Sequence, residues 1–318
     1  MKTVQQICKI VKPLADDRKP IVEVFEGDCF IRGLGFKVRL KTSLETGIYL
    51  KEFLEKGIAH EVKDVLNDVG DFASMFAYEE EANVVSKQAL DAIQKAVVFS
   101  GKDVLRPALQ GVMCKEGEIA STDAHTLFWY EGETGFKDAV ILNKETVKIL
   151  KLAKSEVLVA YPKKPKDKEA LKSLLFICKE FTLEAMVIDS TFPNYRAVIP
   201  QGESLRLTFD NETMRKALTI VKEFTNSTTR KVEFHIFRDR VKLVGEDLDF
   251  ELTREEEIPL IGSEGLSSKK DYFLIGFNAT SFLNVLKSLP KGEVTLALTE
   301  ANRAGVFNKS VLLMPVMI

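Results

Sequence analysis

Few residues of this 318-residue chain are placed to do chemistry. The stretch "STDAHTL" sets Asp123 and His125 two apart after a β-rich run, a spacing that could pair a carboxylate with an imidazole for proton transfer. No serine or cysteine nucleophile pattern stands beside them, and the chain holds only His60, His125 and His235. A structural role outweighs a catalytic one, so no enzyme activity is expected, and a hydrolase using Asp123 and His125 is the third alternative. Cys8, Cys29, Cys114 and Cys178 lie far apart without a CxxC, and no HxxxH occurs, so no metal, disulfide framework or cofactor is expected. "RGLGFK" offers Gly33 and Gly35 without a third glycine or a following helix, which reads as a turn.

The cations carry more. Lys144, Lys148 and Lys151 fall at i, i+4, i+7 and share one helix face, with Val147, Leu150 and Ala153 turned elsewhere. Lys87 and Lys95 mark a second helix, Arg215, Lys216 and Lys222 a third, and Lys9, Lys12 and Lys287 two more. The chain has 45 Lys+Arg against 47 Asp+Glu, a net charge of -2. Basic helix faces in such a chain require the acids to be segregated onto strands and loops, which suits contact with a phosphate backbone without sequence reading. The Pro-interrupted run "YPKKPKDKEALK" reads as a solvated loop.

The elements that position these residues repeat. Three stretches align, from Arg18, Arg106 and Arg230, each as strand, polar turn, strand, short break, strand. The turns are Glu26-Gly27-Asp28, Lys115-Glu116-Gly117 and Arg238-Asp239-Arg240. In the third copy Val232, Phe234 and Ile236 alternate with Glu233, His235 and Phe237. A helix precedes each copy: Thr3 as cap with Ile7, Ile10 and Val11; Ser86 as cap with Leu90, Ile93 and Val97; and Met214, Leu218, Val221. Asn143 and Asn278 cap further helices that lead into β-rich runs. The plan is α+β, with helices on one face and antiparallel sheets on the other. Boundaries fall at acidic "YEEEAN" and polar "PQGES", giving domains 1–82, 83–202 and 203–318. The first is short: Arg18 to Arg106 spans about 88 residues against about 124 for the next interval, so roughly 36 are missing.

With 45% hydrophobic residues the chain can fill several cores. Its apolar runs fall short of the ~18 residues that cross a bilayer. Lys2, Lys9 and Lys12 interrupt the start, so neither a signal peptide nor an anchor is expected and a cytoplasmic location fits.

These residues together carry a resemblance. The three helix-strand repeats, "RPALQGV" then "STDAHTL", "TFPNYRAVIP", "IGFNATSFLNVLKSL" and terminal "LLMPVMI", resemble the bacterial sliding clamp, the DNA polymerase III beta subunit family. The likeness covers residues 84–318 and, more loosely, the first 45 or so. It implies three tandem processivity-fold domains with the first truncated, a homodimeric ring with helices toward duplex DNA, and a role without catalysis. Lys87, Lys95, Lys144, Lys148, Lys151, Arg215, Lys216 and Lys222 would then face DNA. Arg18, Arg106 and Arg230 have two readings: contacts at the rim of the DNA, or cations capping helix C-termini.

The resemblance also implies a hydrophobic groove for short linear peptides of polymerase and clamp loader. It would comprise Leu109; Thr122, Ala124, His125, Thr126 and Leu127; and Pro193, Ala197 and Val198. Leu312, Met314, Pro315, Val316, Met317 and Ile318 of the uncharged tail complete it, Met for its capacity to repack around different partners. The chain departs from the family's Gly-His-Arg-Leu with Ala124-His125-Thr126-Leu127, from Tyr-Arg-Arg at Ala197, and from the penultimate Arg at Met317. The expected peptide is more apolar or differently spaced. Ring closure would use Phe53, Leu54, Ile58, Val62 and Val65 against Glu223 and Phe224 of a second chain. The alternative is a clamp-derived peptide-binding module that does not close a ring. The short first domain suggests a divergent clamp, from a mobile element or as a second copy beside a standard one.

Overall fold

The computed structural model describes residues 2–10, 21–25, 27–33, 35–43, 47–50, 81–162, 171–202, 204–266 and 272–318. Phe53, Leu54, Ile58, Val62 and Val65, with Arg18, Val11 and Lys12, lie outside the described residues. The elements run α1 (Lys2–Ile10), β1 (Ile21–Phe25), β2 (Asp28–Gly33), β3 (Phe36–Lys41) and β4 (Gly47–Leu50). Then come β5 (Asn83–Val85), α2 (Lys87–Ala96), β6 (Val112–Lys115), β7 (Glu118–Thr122), β8 (Thr126–Glu131) and β9 (Val140–Leu142). Next are α3 (Lys144–Leu150), β10 (Val157–Ala160), β11 (Ser173–Ile177) and β12 (Thr182–Met186). The remainder is β13 (Leu205–Asp210), α4 (Asn211–Lys222), β14 (Lys231–Ile236), β15 (Arg240–Asp247), β16 (Leu252–Pro259), β17 (Gly262–Glu264), β18 (Phe273–Asn278), α5 (Ala279–Ser288), β19 (Glu293–Leu298), β20 (Gly305–Phe307) and β21 (Val311–Leu313).

The chain forms two compact units, one of Met1–Ser121 with Tyr130–Phe192, the other of Thr122–Trp129 with Pro193–Ile318. In the first, antiparallel strands run in the order β4-β1-β2-β3-β12-β11-β10-β5. The pairing of β3 with β12, Val38 opposite Leu183 and Phe36 opposite Ala185, joins the N-terminal strands to those after α3. Helix α1 buries Val4, Ile7 and Cys8 and packs against β2. Thr3 lies inside α1 rather than capping it, because the helix begins at Lys2.

Ser86 does cap α2, its Oγ accepting from the Ala89 amide at 3.1 Å, and Asn143 caps α3, accepting from Thr146 at 2.7 Å. Such caps each contribute about 1 kcal/mol. The buried stripe of α2 is Ala89, Ala92, Ile93 and Ala96. Leu90 and Val97 are only half-buried, since three alanines on the inner face let that face pack closely. On α3, Val147 and Leu150 are buried as the spacing predicts, whereas Ala153 lies beyond the helix.

In the second unit the four-stranded sheet β16-β15-β14-β18 is antiparallel, with Val232, Phe234 and Ile236 buried as the alternation predicts. Helix α4 lays Met214, Leu218 and Val221 on it. At Gly245 in β15 any Cβ would meet Val221 at 2.7 Å, so glycine sets this close approach. Phe234, Phe277, Phe282 and Phe307 fill the core, with Phe234–Phe282 stacked at 4.8 Å and Phe282–Phe307 edge-on at 5.1 Å. Such pairs contribute about 1 kcal/mol each beyond their burial. Asp210 and Asn278 cap α4 and α5. Strands β17-β13-β19-β20-β21 form a further run, and β21 pairs onward with Thr126–Phe128 of β8. No helix among the described residues is long and apolar enough to cross a membrane.

Candidate functional site

Within "STDAHTL", Thr122 to Leu127 belong to the second unit and form a tightly bonded turn leading into β8. The Thr122 hydroxyl donates to the Thr126 carbonyl at 2.6 Å and accepts from the Ala124 amide at 3.0 Å. Asp123 Oδ1 accepts from the amides of His125 (2.9 Å) and Thr126 (2.6 Å) and from the Thr126 hydroxyl (2.9 Å). This carboxylate builds the turn and meets the backbone of His125, the Asx pattern of loops. Ala124 sits at φ +79, a conformation that favours glycine.

The tail is fastened to this loop by backbone pairing. Leu312 lies opposite Leu127 and Leu313 opposite Thr126, and the Met314 amide donates to the His125 carbonyl at 2.8 Å. Farther along, the Val316 amide donates to the Gly276 carbonyl of β18 at 2.9 Å. A Cβ at Gly276 would lie 2.9 Å from the Val316 carbonyl oxygen and 3.1 Å from Ile318 Cγ1, so glycine there makes room for the tail. The same unit holds the short turn Tyr195–Val198, in which Tyr195 is buried with the Arg196 guanidinium 5.8 Å above its ring.

Of the predicted groove residues, Ala124, His125, Pro193, Ala197, Val198, Met317 and Ile318 are exposed, and Met314, Pro315 and Val316 half-buried. Met317 is 94% exposed. Thr122, Thr126, Leu127 and Leu312 are buried beneath them, and Leu109 is buried in the first unit. Leu312 belongs to the core as fully as Val311 and Leu313, because β21 has neighbouring strands on both sides. The role of Gly276 had no local sequence signal, since what it seats lies forty residues away.

The cations occupy helix surfaces. Lys87 and Lys95 on α2 and Lys148 and Lys151 at α3 are exposed. Lys144 differs from the other cations of its predicted face: its ammonium donates to the carbonyls of Gly101 (2.6 Å) and Ser100 (3.2 Å), tying α3 to the segment that follows α2. In the second unit Arg215, Lys216, Lys222 and Lys287 line an open groove between α4 and α5 together with Glu212, Thr219, Ile220 and Leu283. Arg230 donates from its guanidinium to the Lys222 carbonyl at 3.3 Å, the cation cap of the α4 C-terminus. Arg106 caps no helix; its Nε donates to Asp103 at 2.8 Å. Glu223 is exposed at the end of α4 and Phe224 half-buried beside it.

The thiols of Cys29, Cys114 and Cys178 are not activated. Burial pushes Cys29 up to about 12 and Cys178 up to about 11, and raises Cys114 as well. Among the described residues no His/Cys/Asp/Glu group could hold a metal ion.

Residues 196–311 match the family model for the DNA polymerase III beta subunit, C-terminal domain. A beta sliding clamp of Pseudomonas putida is 28% identical over 131 residues, covering 41% of this chain and 34% of that protein. The match therefore spans about a third of that relative's length. A beta sliding clamp of Rickettsia felis is 28% identical over 259 residues, 74% of this chain and 65% of that protein. Among solved structures, the beta subunit of Thermotoga maritima superposes with a TM-score of 0.78 at 17% identity, over 99% of this chain and 97% of that one. The sliding clamp of Bartonella birtlesii gives 0.80 at 18% identity, over 100% and 97%. The antiparallel α+β architecture is the clamp fold, and residues 196–311 carry the C-terminal domain of the DNA polymerase III beta subunit family.

Proposed function

We propose that this protein is a non-catalytic sliding-clamp processivity factor in the cytoplasm, with three tandem domains bounded near residues 82 and 202. Two copies close head to tail around duplex DNA, and the ring tethers polymerase and clamp loader through short linear peptides. The observation that carries this reading is the tail: Met317 and Ile318 stand exposed on a backbone fastened to β8, to His125 before it and to Gly276. An apolar surface held on a rigid backbone is what an extended peptide with apolar anchors needs. The cation-lined groove between α4 and α5, with Lys87, Lys95, Lys148 and Lys151 on the other unit, supports non-specific contact with phosphates.

Support for the dimer comes from the outer strand β16. Among the described residues it pairs on one side only, and the turn before it exposes Leu248 and Phe250 at 78% and 74%. Asp249 in that turn accepts from Asn226 at 3.0 Å, just beyond Glu223 and Phe224. A second chain covering these residues would remove apolar surface from water. A peptide-binding module without a ring is the second reading, favoured because the tail surface is complete in one unit apart from Leu109.

Sedimentation equilibrium separates the two. A mass near twice 35.7 kDa, with retention on circular but not linear DNA, supports the ring. A strict monomer at tens of micromolar removes it. Deleting Met314–Ile318 tests the peptide surface: binding of a polymerase-derived peptide is lost while the circular dichroism spectrum stays native, and unchanged affinity would refute the assignment.

A further inference from the structure

The segment Lys102–Arg106 of the first unit presents two aliphatic side chains to water on a braced backbone. The Arg106 amide donates to the Asp103 carbonyl at 3.2 Å, closing a four-residue turn with Val104 and Leu105 at its centre. Those two residues are 80% and 87% exposed. Asp103 braces the turn with its side chain as well: Oδ1 accepts from the Leu105 amide at 2.9 Å and Oδ2 from Arg106 Nε at 2.8 Å. Gln110 Nε2 donates to the Asp103 carbonyl at 2.8 Å, and the Lys144 ammonium holds the carbonyls of Ser100 and Gly101. The turn is thus pinned to the start of α3, and the bracing keeps Val104 and Leu105 from folding back onto the core.

Scattered exposed aliphatics need no explanation, but an adjacent pair at the tip of a turn with four separate hydrogen bonds to one aspartate does. The surroundings select the occupant. Exposed Lys102 and half-exposed Arg106 flank the pair, and Asp103, the acid between them, is engaged by Arg106. The turn adjoins the layer in which α1, α2 and α3 pack together and expose Lys2, Lys9, Lys87, Lys95, Lys148 and Lys151. With Asp91 the exposed acid on these helices and Arg106 engaged by Asp103, the surroundings of the tip are net cationic, which fits a polyanion that also offers apolar faces.

We infer that Val104 and Leu105 form an apolar wedge that packs against unstacked bases of DNA held on this helix face, so that the protein distinguishes a single-strand/duplex junction from uniform duplex. Aliphatic wedges gain by burial against base faces, and they do so at lowest cost where the bases are already unstacked. This rests on the reading of DNA as the ligand of the helix face.

The test uses the full chain, a blunt fluorescein-labelled duplex and the same duplex with a single-stranded overhang. Wild type binds the overhang substrate more tightly. The double variant Val104→Ser, Leu105→Ser loses that preference, by about tenfold if one aliphatic side chain is buried. Its blunt-duplex affinity and salt dependence do not change. Lys148→Glu with Lys151→Glu weakens both substrates together. Equal binding of the two substrates by wild type, or a preference surviving the serine variant, overturns the wedge and leaves the clamp reading standing. Failure of wild type to bind either substrate overturns both. A change in sedimentation mass in the serine variant would instead assign the pair to a protein contact and overturn the wedge.

Discussion

Gly276 and Val316 form an antiparallel bridge in which the Val316 amide donates to the Gly276 carbonyl at 2.9 Å, while the space a side chain would need at 276 is taken by Val316 and Ile318. The tail position thus depends on the absence of a Cβ forty residues earlier. Gly276→Val should displace the tail without unfolding the sheet, at a cost of about 1–3 kcal/mol for overpacking. Hydrogen exchange at the Val316 amide should accelerate and affinity for a polymerase-derived peptide should fall. Retained protection of that amide would show that the tail is held in place by other interactions.

Ala124 pays for its position at φ +79 with close approaches between its Cβ and the backbone. Ala124→Gly relieves them but frees the unfolded chain, so the net gain is up to about 1 kcal/mol. A lower urea midpoint in the glycine variant would show that the hydrogen bonds of Thr122 and Asp123 already make this conformation easy for alanine.

Arg215, Lys216, Lys222 and Lys287 share one groove between α4 and α5. Arg215→Glu with Lys216→Glu should weaken duplex binding for all sequences alike. The slope of log affinity against log salt should shrink by about 1 for each phosphate that is no longer neutralised. An unchanged slope would remove these residues from the DNA surface.

Asp210 is held below the ordinary carboxylate range, chiefly by hydrogen bonds from the Thr213 hydroxyl and amide at the start of α4. Its pKa is lower in the folded state than in the unfolded chain. Its contribution is therefore complete above the ordinary aspartate pKa of about 4 and is lost as pH falls through the depressed value. Asp210→Asn keeps a cap without titrating, so urea midpoints of the variant should fall less steeply toward acid pH. Parallel acid profiles would place the titration elsewhere.

Local chemistry was legible from the sequence. Ser86, Asn143 and Asn278 cap as their positions predict, and the polar turns at Lys115-Glu116-Gly117 and Arg238-Asp239-Arg240 join strand pairs, because each depends on a few neighbouring residues. Long-range competition was not. Lys144 lies in register with Lys148 and Lys151, yet its ammonium is engaged by two carbonyls brought near only by folding. Leu312 carries the same apolar pattern whether it faces a groove or a core, and only the second neighbouring strand decides. Val104 and Leu105 have the composition of core residues; the turn closed by Asp103 turns them outward.

The pairing of β3 with β12 bears on how the protein can be divided. A fragment beginning near residue 83 would lose more than an N-terminal module: Thr182–Met186 would be stripped of its neighbour, leaving a row of unpaired amides and carbonyls beside exposed Met186. Such a fragment should self-associate through that row, and its poor solubility would say nothing about whether the remaining residues can fold.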